Sequence, residues 1–328
     1  MKNSDSVSNT SDSRMIVGLG ELIWDMLPEG KQLGGAPTNF AYISRLLGNN
    51  ATVASRVGED DLGREASDRL ARMGISKGFL QVDKVHPTGT VQVKIGENGE
   101  ARFAINENSA WDYLEWTAEW EELAGSADAV CFGTLGQRNS RAREVILQFL
   151  RATRAATARI FDVNLRHSFF TPDMLTRSVE LATIVKLSSE ELSTVARMLE
   201  IDLSGEEALA KALIARFNLD LVAVTRGSQG SLLATESEAI SHAGFRVQVK
   251  DTIGAGDAFA AVLAHHYLRG ASLKVISDEA NRMGAWIATQ AGATPEVDKL
   301  PLELERFFNV RLKLGAQASL PARLLKAI

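Results

Sequence analysis

Two hydrophobic rhythms alternate along this chain. Short apolar runs such as 15–19, 129–132 and 221–224 have the continuous character of strands buried on both faces, and 51–57 alternates like a strand. Between them, apolar residues recur at helical spacing, as at Phe40, Ile43, Leu46 and Leu47. From residue 127 onward the alternation is steady. It predicts strands over 127–133, 158–164, 183–187 and 221–225, and helices over 141–152, 174–181, 190–198 and 206–217. Strand and helix in strict turn imply a mostly parallel sheet covered by helices on both faces, an α/β fold. The 88–106 stretch breaks the pattern. There 90–95 and 101–105 flank Gly96-Glu97-Asn98-Gly99-Glu100, a hairpin with Asn-Gly in its turn. A lone hairpin is marginal in water, so it must pack on something. The extended stretch 21–33 is its expected partner in a small β-sheet, which would act as a lid over the rest.

The expected organisation is a Ser/Asn/Asp-rich disordered tail over 1–13, an α/β domain over 14–312 and a C-terminal tail over 313–328. The tail at 1–13 has no apolar h-region, so it does not read as a signal peptide. No apolar run is long enough to span a bilayer. With 36 Lys and Arg against 41 Asp and Glu, the net charge of −5 argues against nucleic acid or anionic membrane as a partner. The single cysteine, Cys131, excludes an intrachain disulfide and fits a reducing, cytoplasmic setting. The arginines between 138 and 159 have helical spacing and read as a solvated face. Trp111, Tyr113, Trp116 and Trp120 read as core packing.

Candidate chemistry concentrates where the predicted strands stop. Gly34 and Gly35 allow a ligand close to the backbone, and Asp25 and Asn39 offer hydrogen-bonding groups suited to sugar hydroxyls; a turn with an Asn cap fits the same residues. Asn164 and Arg166, then Lys186, Ser188 and Glu191, then Thr225 and Gly227 fall at successive strand ends, where open α/β sheets bind ligands. Last comes Asp251-Thr252-Ile253-Gly254-Ala255-Gly256-Asp257, running into a small, apolar helix. Unpaired N–H groups at a helix start attract anions. An acid among them, Asp257, would repel a resting phosphate unless it removes a proton; the plainer reading is a glycine turn capped by Asp257. Arg64-Glu65 stands where a P-loop needs Lys-Ser/Thr, so no P-loop is present. The five histidines form no HxH or HExxH arrangement, and no GxSxG elbow accompanies them.

Gly34-Gly35-Ala36-Pro37-Thr38-Asn39-Phe40-Ala41 and Asp251-Thr252-Ile253-Gly254-Ala255-Gly256-Asp257, taken together, resemble the two signatures of the ribokinase-like (PfkB) carbohydrate kinases. The likeness extends to 57–63 and 224–230, and Gly20-Glu21-Leu22-Ile23-Trp24-Asp25 with Asp162-Val163-Asn164-Leu165-Arg166 looks most like the fructokinase branch. The resemblance implies a ribokinase-like fold and ATP-dependent phosphorylation of the primary hydroxyl of a free sugar, fructose first. A 2-keto-3-deoxygluconate kinase, where Arg166 would face the acid's carboxylate, and a ribokinase-type enzyme are the alternatives. A sugar-binding regulatory protein without catalysis is the alternative of another class.

Carried over by position, the resemblance makes Asp257 the general base and Gly254, Ala255 and Gly256 the anion hole. Asp25, Gly34, Gly35, Asn39 and Arg166 would hold the sugar, with Gln92 and Ile105 contributed by the lid. Thr225, Gly227 and Gly230 would lie along ATP and Asn281 near its base. Lys186, Ser188 and Glu191 would form the magnesium side, Glu191 acting indirectly, with Ser188 in place of the family's asparagine. Asp251 and Ile253 would border a potassium ion. The exposed lid edge would allow a homodimer.

Overall fold

In the computed structural model of this protein, residues 13–27, 30–95 and 101–297 are described. The 1–12 part of the expected tail, the hairpin turn at 96–100 and everything after 297 lie outside them. Strand β1 (Met15–Leu19) leads to β2 (Ile23–Leu27), β3 (Gly30–Gly34) and helix α1 (Ala36–Leu46). Next come β4 (Asn50–Gly58), α2 (Asp61–Arg72), β5 (Leu80–Asp83), β6 (Gly89–Ile95), β7 (Ala101–Ile105) and α3 (Ala118–Ser126). The repeating half runs β8 (Ala129–Gly133), α4 (Ser140–Ala152), β9 (Ala158–Asp162), α5 (Pro172–Leu181), β10 (Ile184–Ser188), α6 (Ser189–Met198), α7 (Glu206–Phe217) and β11 (Leu221–Thr225). β12 (Ser231–Ala234), β13 (Ala239–His242), α8 (Ala255–Tyr267) and α9 (Leu273–Ala288) complete it.

Nine strands form one sheet in the order β13-β12-β11-β10-β9-β8-β1-β4-β5, parallel from β11 to β5 with two antiparallel strands at the β13 edge. Strand parity sorts its residues between two cores. Ile16, Cys131, Ile160 and Ile184 face α1, α8 and α9, while Val17, Val130, Phe161 and Val185 face the α3–α7 side. Gly18 shares the parity of Ile16. A Cβ there would come within 2.1 Å of the Pro37 carbonyl oxygen, so only glycine lets α1 lie this close.

The sheet order reverses between β1 and β8, whose connections leave in opposite directions, and such a switch point opens a crevice beyond the strand C-termini. The second sheet, β3-β2-β6-β7, stands beside that crevice. Its root is the cluster of Ile23, Val91, Trp111 and Leu135. The expected strand 158–164 stops at Asp162, because Asn164 turns the chain out with φ 42. The arginine reading fails at Arg138. Its side chain is buried, pairs with Asp112 at 2.7 Å, and lies 4.0 Å from the Trp111 ring centroid. It also donates to the Asn106 carbonyl at 2.6 Å, so it pins the end of β7 to the main body.

Candidate active site

Helix α8 begins at Ala255 with Gly254 as its cap residue, at φ 80 and with no side-chain cap. A Cβ on Gly254 would stand 2.3 Å from the Ala293 Cβ, and one on Gly256 would stand 2.8 Å from Lys186 Nζ. Gly254 is therefore required by close approach, and at Gly256 a Cβ would have to push an ammonium group aside. The Ala255 amide donates to the Thr252 carbonyl only at 3.3 Å, which leaves the first turn rich in free N–H groups.

Lys186 occupies this spot because its parity matches Ile184, on the α8 face of the sheet. Asp162 on the adjacent strand is its register partner, and both its oxygens accept from Nζ, at 3.0 and 3.1 Å. Burial alone would lower the Lys186 pKa; the charges of Asp162 and Asp257 outweigh it and hold the ammonium above its usual range. Burial pushes the Asp162 carboxyl upward, and the ammonium pulls it back. Asp257 is also raised by burial, against the pull of Lys186, the Asn39 hydrogen bond and Arg166. A carboxylate so placed is a stronger base than a free aspartate.

Asn39 closes the site from α1. Its Nδ2 donates to Asp257 Oδ2 at 2.7 Å, and its buried Oδ1 has no partner. An orphaned acceptor beside a base fits a hydroxyl-bearing ligand. Gly35, the N-terminal flank of α1, holds φ 100, and a Cβ there would approach the Glu21 carbonyl oxygen to 2.6 Å. Gly34 lies against Asp25, where a Cβ would reach Oδ2 at 2.7 Å. Burial raises Asp25 to about 6, with Arg166 opposing and Asp251 adding to the shift. Arg166 itself is exposed and makes no ion pair among the described residues, yet its charge reaches Asp25, Asp257 and Glu21.

The second-sheet residues divide. Asp25, Val91 and Ile105 are register partners and share one face, whereas Gln92 pairs with Met26 and Ala104 on the other face and is exposed. Ile105 therefore faces with Asp25, and Gln92 does not. The one-residue step along β6 is what sequence reading overlooked.

Ser188 caps α6, and Glu191 completes the box. Its Oε2 accepts from the Ser188 amide and its Oε1 from the Leu165 amide, both at 2.7 Å. With both oxygens engaged, Glu191 suits contact through water better than direct ligation of a metal. Similarly, Asp251 accepts from the amides of Ile253 at 3.0 Å and Gly292 at 3.1 Å, shaping the turn before α8. No group of three or more metal-ligating side chains occurs among the described residues.

Thr225 ends β11, and Gly227 follows on an exposed turn at φ 56 with open space around it. Gly230 has a different reason, since a Cβ there would strike the His242 carbonyl oxygen at 2.0 Å; it is required by packing onto β13. Asn281 is buried in α9, and its Nδ2 already donates to Ser231 Oγ and the Ser277 carbonyl, both at 2.7 Å. Sequence reading missed Glu21, Asp162 and Arg138 as parts of this region. The parity of Asp162 with Lys186 was a usable signal; the ion pair of Arg138 left none.

The chain matches the pfkB family carbohydrate kinase model over residues 23–300. The chain belongs to that family. A fructokinase from Escherichia coli is 31% identical over 304 residues, covering 84% of this chain and 93% of the relative. The structure of fructokinase from Vibrio cholerae O395 in its fructose-, ADP- and calcium-bound form superposes with a TM-score of 0.76 at 26% identity, over 91% of this chain and all of that one. Aminoimidazole riboside kinase from Salmonella enterica, complexed with aminoimidazole riboside and an ATP analog, gives 0.74 at 25% identity, over 90% of this chain and 100% of that one. This PfkB chain is an ATP-dependent sugar kinase with the ribokinase fold. No helix among its described residues is long and apolar enough to cross a membrane.

Proposed function

We propose that this PfkB kinase phosphorylates the primary hydroxyl of fructose, with Asp257 as general base. The contact between Asn39 and Asp257 carries the reading, because it joins the sugar-side loop to an acid at a helix start. The hydroxyl gives its proton to the Asp257 carboxylate as its oxygen attacks the γ-phosphorus of ATP, and the bond to the ADP oxygen breaks. Phosphoryl transfer depends on positioning and charge stabilisation, which the first-turn amides of α8 and the Lys186 ammonium supply. Magnesium arriving with ATP would neutralise the polyphosphate, with Glu191 acting on it through water. A potassium ion beside Asp251 and Ile253 would meet a carboxylate already held by two amides. Thr225 and Gly227 are the residues we assign along ATP. The small sheet would close as a lid and exclude competing water.

Fructose is favoured by electrostatics as well as by similarity. Asp25 and Asp257, which we assign to the sugar side, and the buried Glu21 behind them all feel the opposing charge of Arg166, and Asp257 first that of Lys186; three acids together suit a neutral sugar better than an acidic one. The exposed, unpaired Arg166 is the observation that supports 2-keto-3-deoxygluconate as a second reading. Release of ADP measured with fructose, ribose and 2-keto-3-deoxygluconate separates these. Turnover highest with fructose supports the proposal, and turnover highest with the sugar acid overturns it. No ADP with any sugar would favour the alternative of a sugar-binding protein without catalysis.

A further inference from the structure

Glu21 lies just past β1, where Gly20 turns the chain at φ 140, and only 2% of the residue is exposed. Its side chain sits beneath the start of α1. That helix has no side-chain cap at Gly35 and no acidic residue in its first turn, yet an anion there is stabilising. The amides of Glu21 itself and of Ala36 face the Glu21 carboxylate and favour its charged form. On the other side Gly136 crowds it, since a Cβ there would stand 3.2 Å from Oε2. That oxygen is fully buried and has no hydrogen-bond partner. Burying an unsatisfied carboxyl is costly, and an amide of the same shape would avoid the charge. The charged or titratable groups facing it are Asp257 from α8, Arg166 from the loop after β9 and Cys131 from β8. The α1 first turn and the 135–137 turn bring none.

We propose that Glu21 is a positioning residue for phosphoryl transfer, packed against Gly35 at the uncapped start of α1 and so fixing Gly35, Asn39 and, through Asn39, the Asp257 carboxylate. The inference rests on Asp257 being the base. Burial first, and the Asp257 charge second, push the Glu21 carboxyl up to about 7. The Ala36 amide favours the ionised form, so the hold of Glu21 on the start of α1 tightens as pH rises through neutrality.

Glu21→Gln keeps the shape and one acceptor oxygen but cannot titrate. The expected kcat falls about tenfold, short of the roughly 10²–10⁴-fold worth of a general base, while KM for ATP stays within about threefold. Wild-type kcat should rise through an inflection near neutral pH that the variant lacks. A readout free of turnover is the melting temperature against pH. The folded carboxyl holds its proton above the unfolded value of 4.5, so its stabilising contribution is full below that pH and is lost on the way to about 7. The wild type should therefore lose melting temperature relative to Glu21→Gln across that window. A pH-independent difference, or an inflection that survives in Glu21→Gln, overturns the inference. If Asp257→Asn keeps full activity the base assignment fails, whereas the melting difference still reports on Glu21. If Asp257→Asn is inactive and Glu21→Gln matches wild type at every pH, the positioning role alone is lost.

Discussion

Asn39 and Asp257, 218 residues apart, meet at 2.7 Å, the Nδ2 of one donating to the Oδ2 of the other. The first turn of α1, near one end of the chain, thus helps to orient an acid near the other and favours its charged form. Because Gly254 is capped by no side chain and Gly256 admits Lys186, that acid lies near amides and an ammonium group, whose pull offsets only part of the burial that raises its pKa.

Replacing Asp257 by Asn removes the base and keeps the hydrogen-bonding shape. Turnover should fall on the order of 10²–10⁴-fold, with sugar affinity largely kept. Steady-state kinetics and isothermal titration with fructose check both halves. Retained turnover would exclude Asp257 as the base.

The hydrogen bond from Asn39 stabilises the charged form of Asp257 and so lowers its pKa. Asn39→Ala removes that bond, and the Asp257 pKa must rise. The acidic limb of the kcat–pH profile should move to higher pH. A limb that stays in place would mean that the profile reports another group.

Gly256→Ala puts a methyl group 2.8 Å from Lys186 Nζ. The ammonium is held on its other side by both oxygens of Asp162, so it cannot swing away without leaving a buried carboxylate unpaired. Breaking such a pair costs about 3–5 kcal/mol. We expect low turnover and a lowered melting temperature together. Lys186→Met, which deletes the ammonium outright, should lower both further.

Much of this arrangement was legible in the residues themselves. The strand and helix rhythm of the second half predicted β8 to β11 because continuous apolar runs and helical spacing are local properties. Asp257, Asn39 and Lys186 stood out as polar groups interrupting such runs. The short edge strands β12 and β13 and the burial of Arg138 were not legible, since each depends on partners distant in sequence. Glu21 was hidden for another reason: it headed the stretch read as an extended part of the small sheet, and only the packed start of α1 reveals that it is buried.

Arg138 ties three segments together, Asp112, the Asn106 carbonyl and the Trp111 ring. Arg138→Leu would leave Asp112 buried without its ion pair, and a loss of about 3–5 kcal/mol follows. Because Asn106 directly follows β7, the small sheet should also become less well placed. Denaturant unfolding checks the first effect. Sugar KM checks the second, which should rise more than KM for ATP.

Asp25 sets function against stability. Burial raises its carboxyl to about 6 from 3.8, so the folded protein holds a proton that the unfolded chain has released in between. Its stabilising contribution is full below 3.8 and is lost as pH rises to about 6, leaving a penalty at neutral pH on the order of 1–3 kcal/mol. Asp25→Asn cannot ionise and should escape it. At pH 7 the variant should therefore melt higher than wild type, and the difference should shrink as pH falls below 6. As an acceptor for sugar hydroxyls the ionised carboxylate is the stronger group. The same variant should bind fructose more weakly, with ATP affinity unchanged. In the wild type, kcat/KM for the sugar should drop as pH falls through 6. A variant that melts lower at pH 7 would mean that Asp25 contributes more as a structural hydrogen-bond partner than it costs as a buried charge.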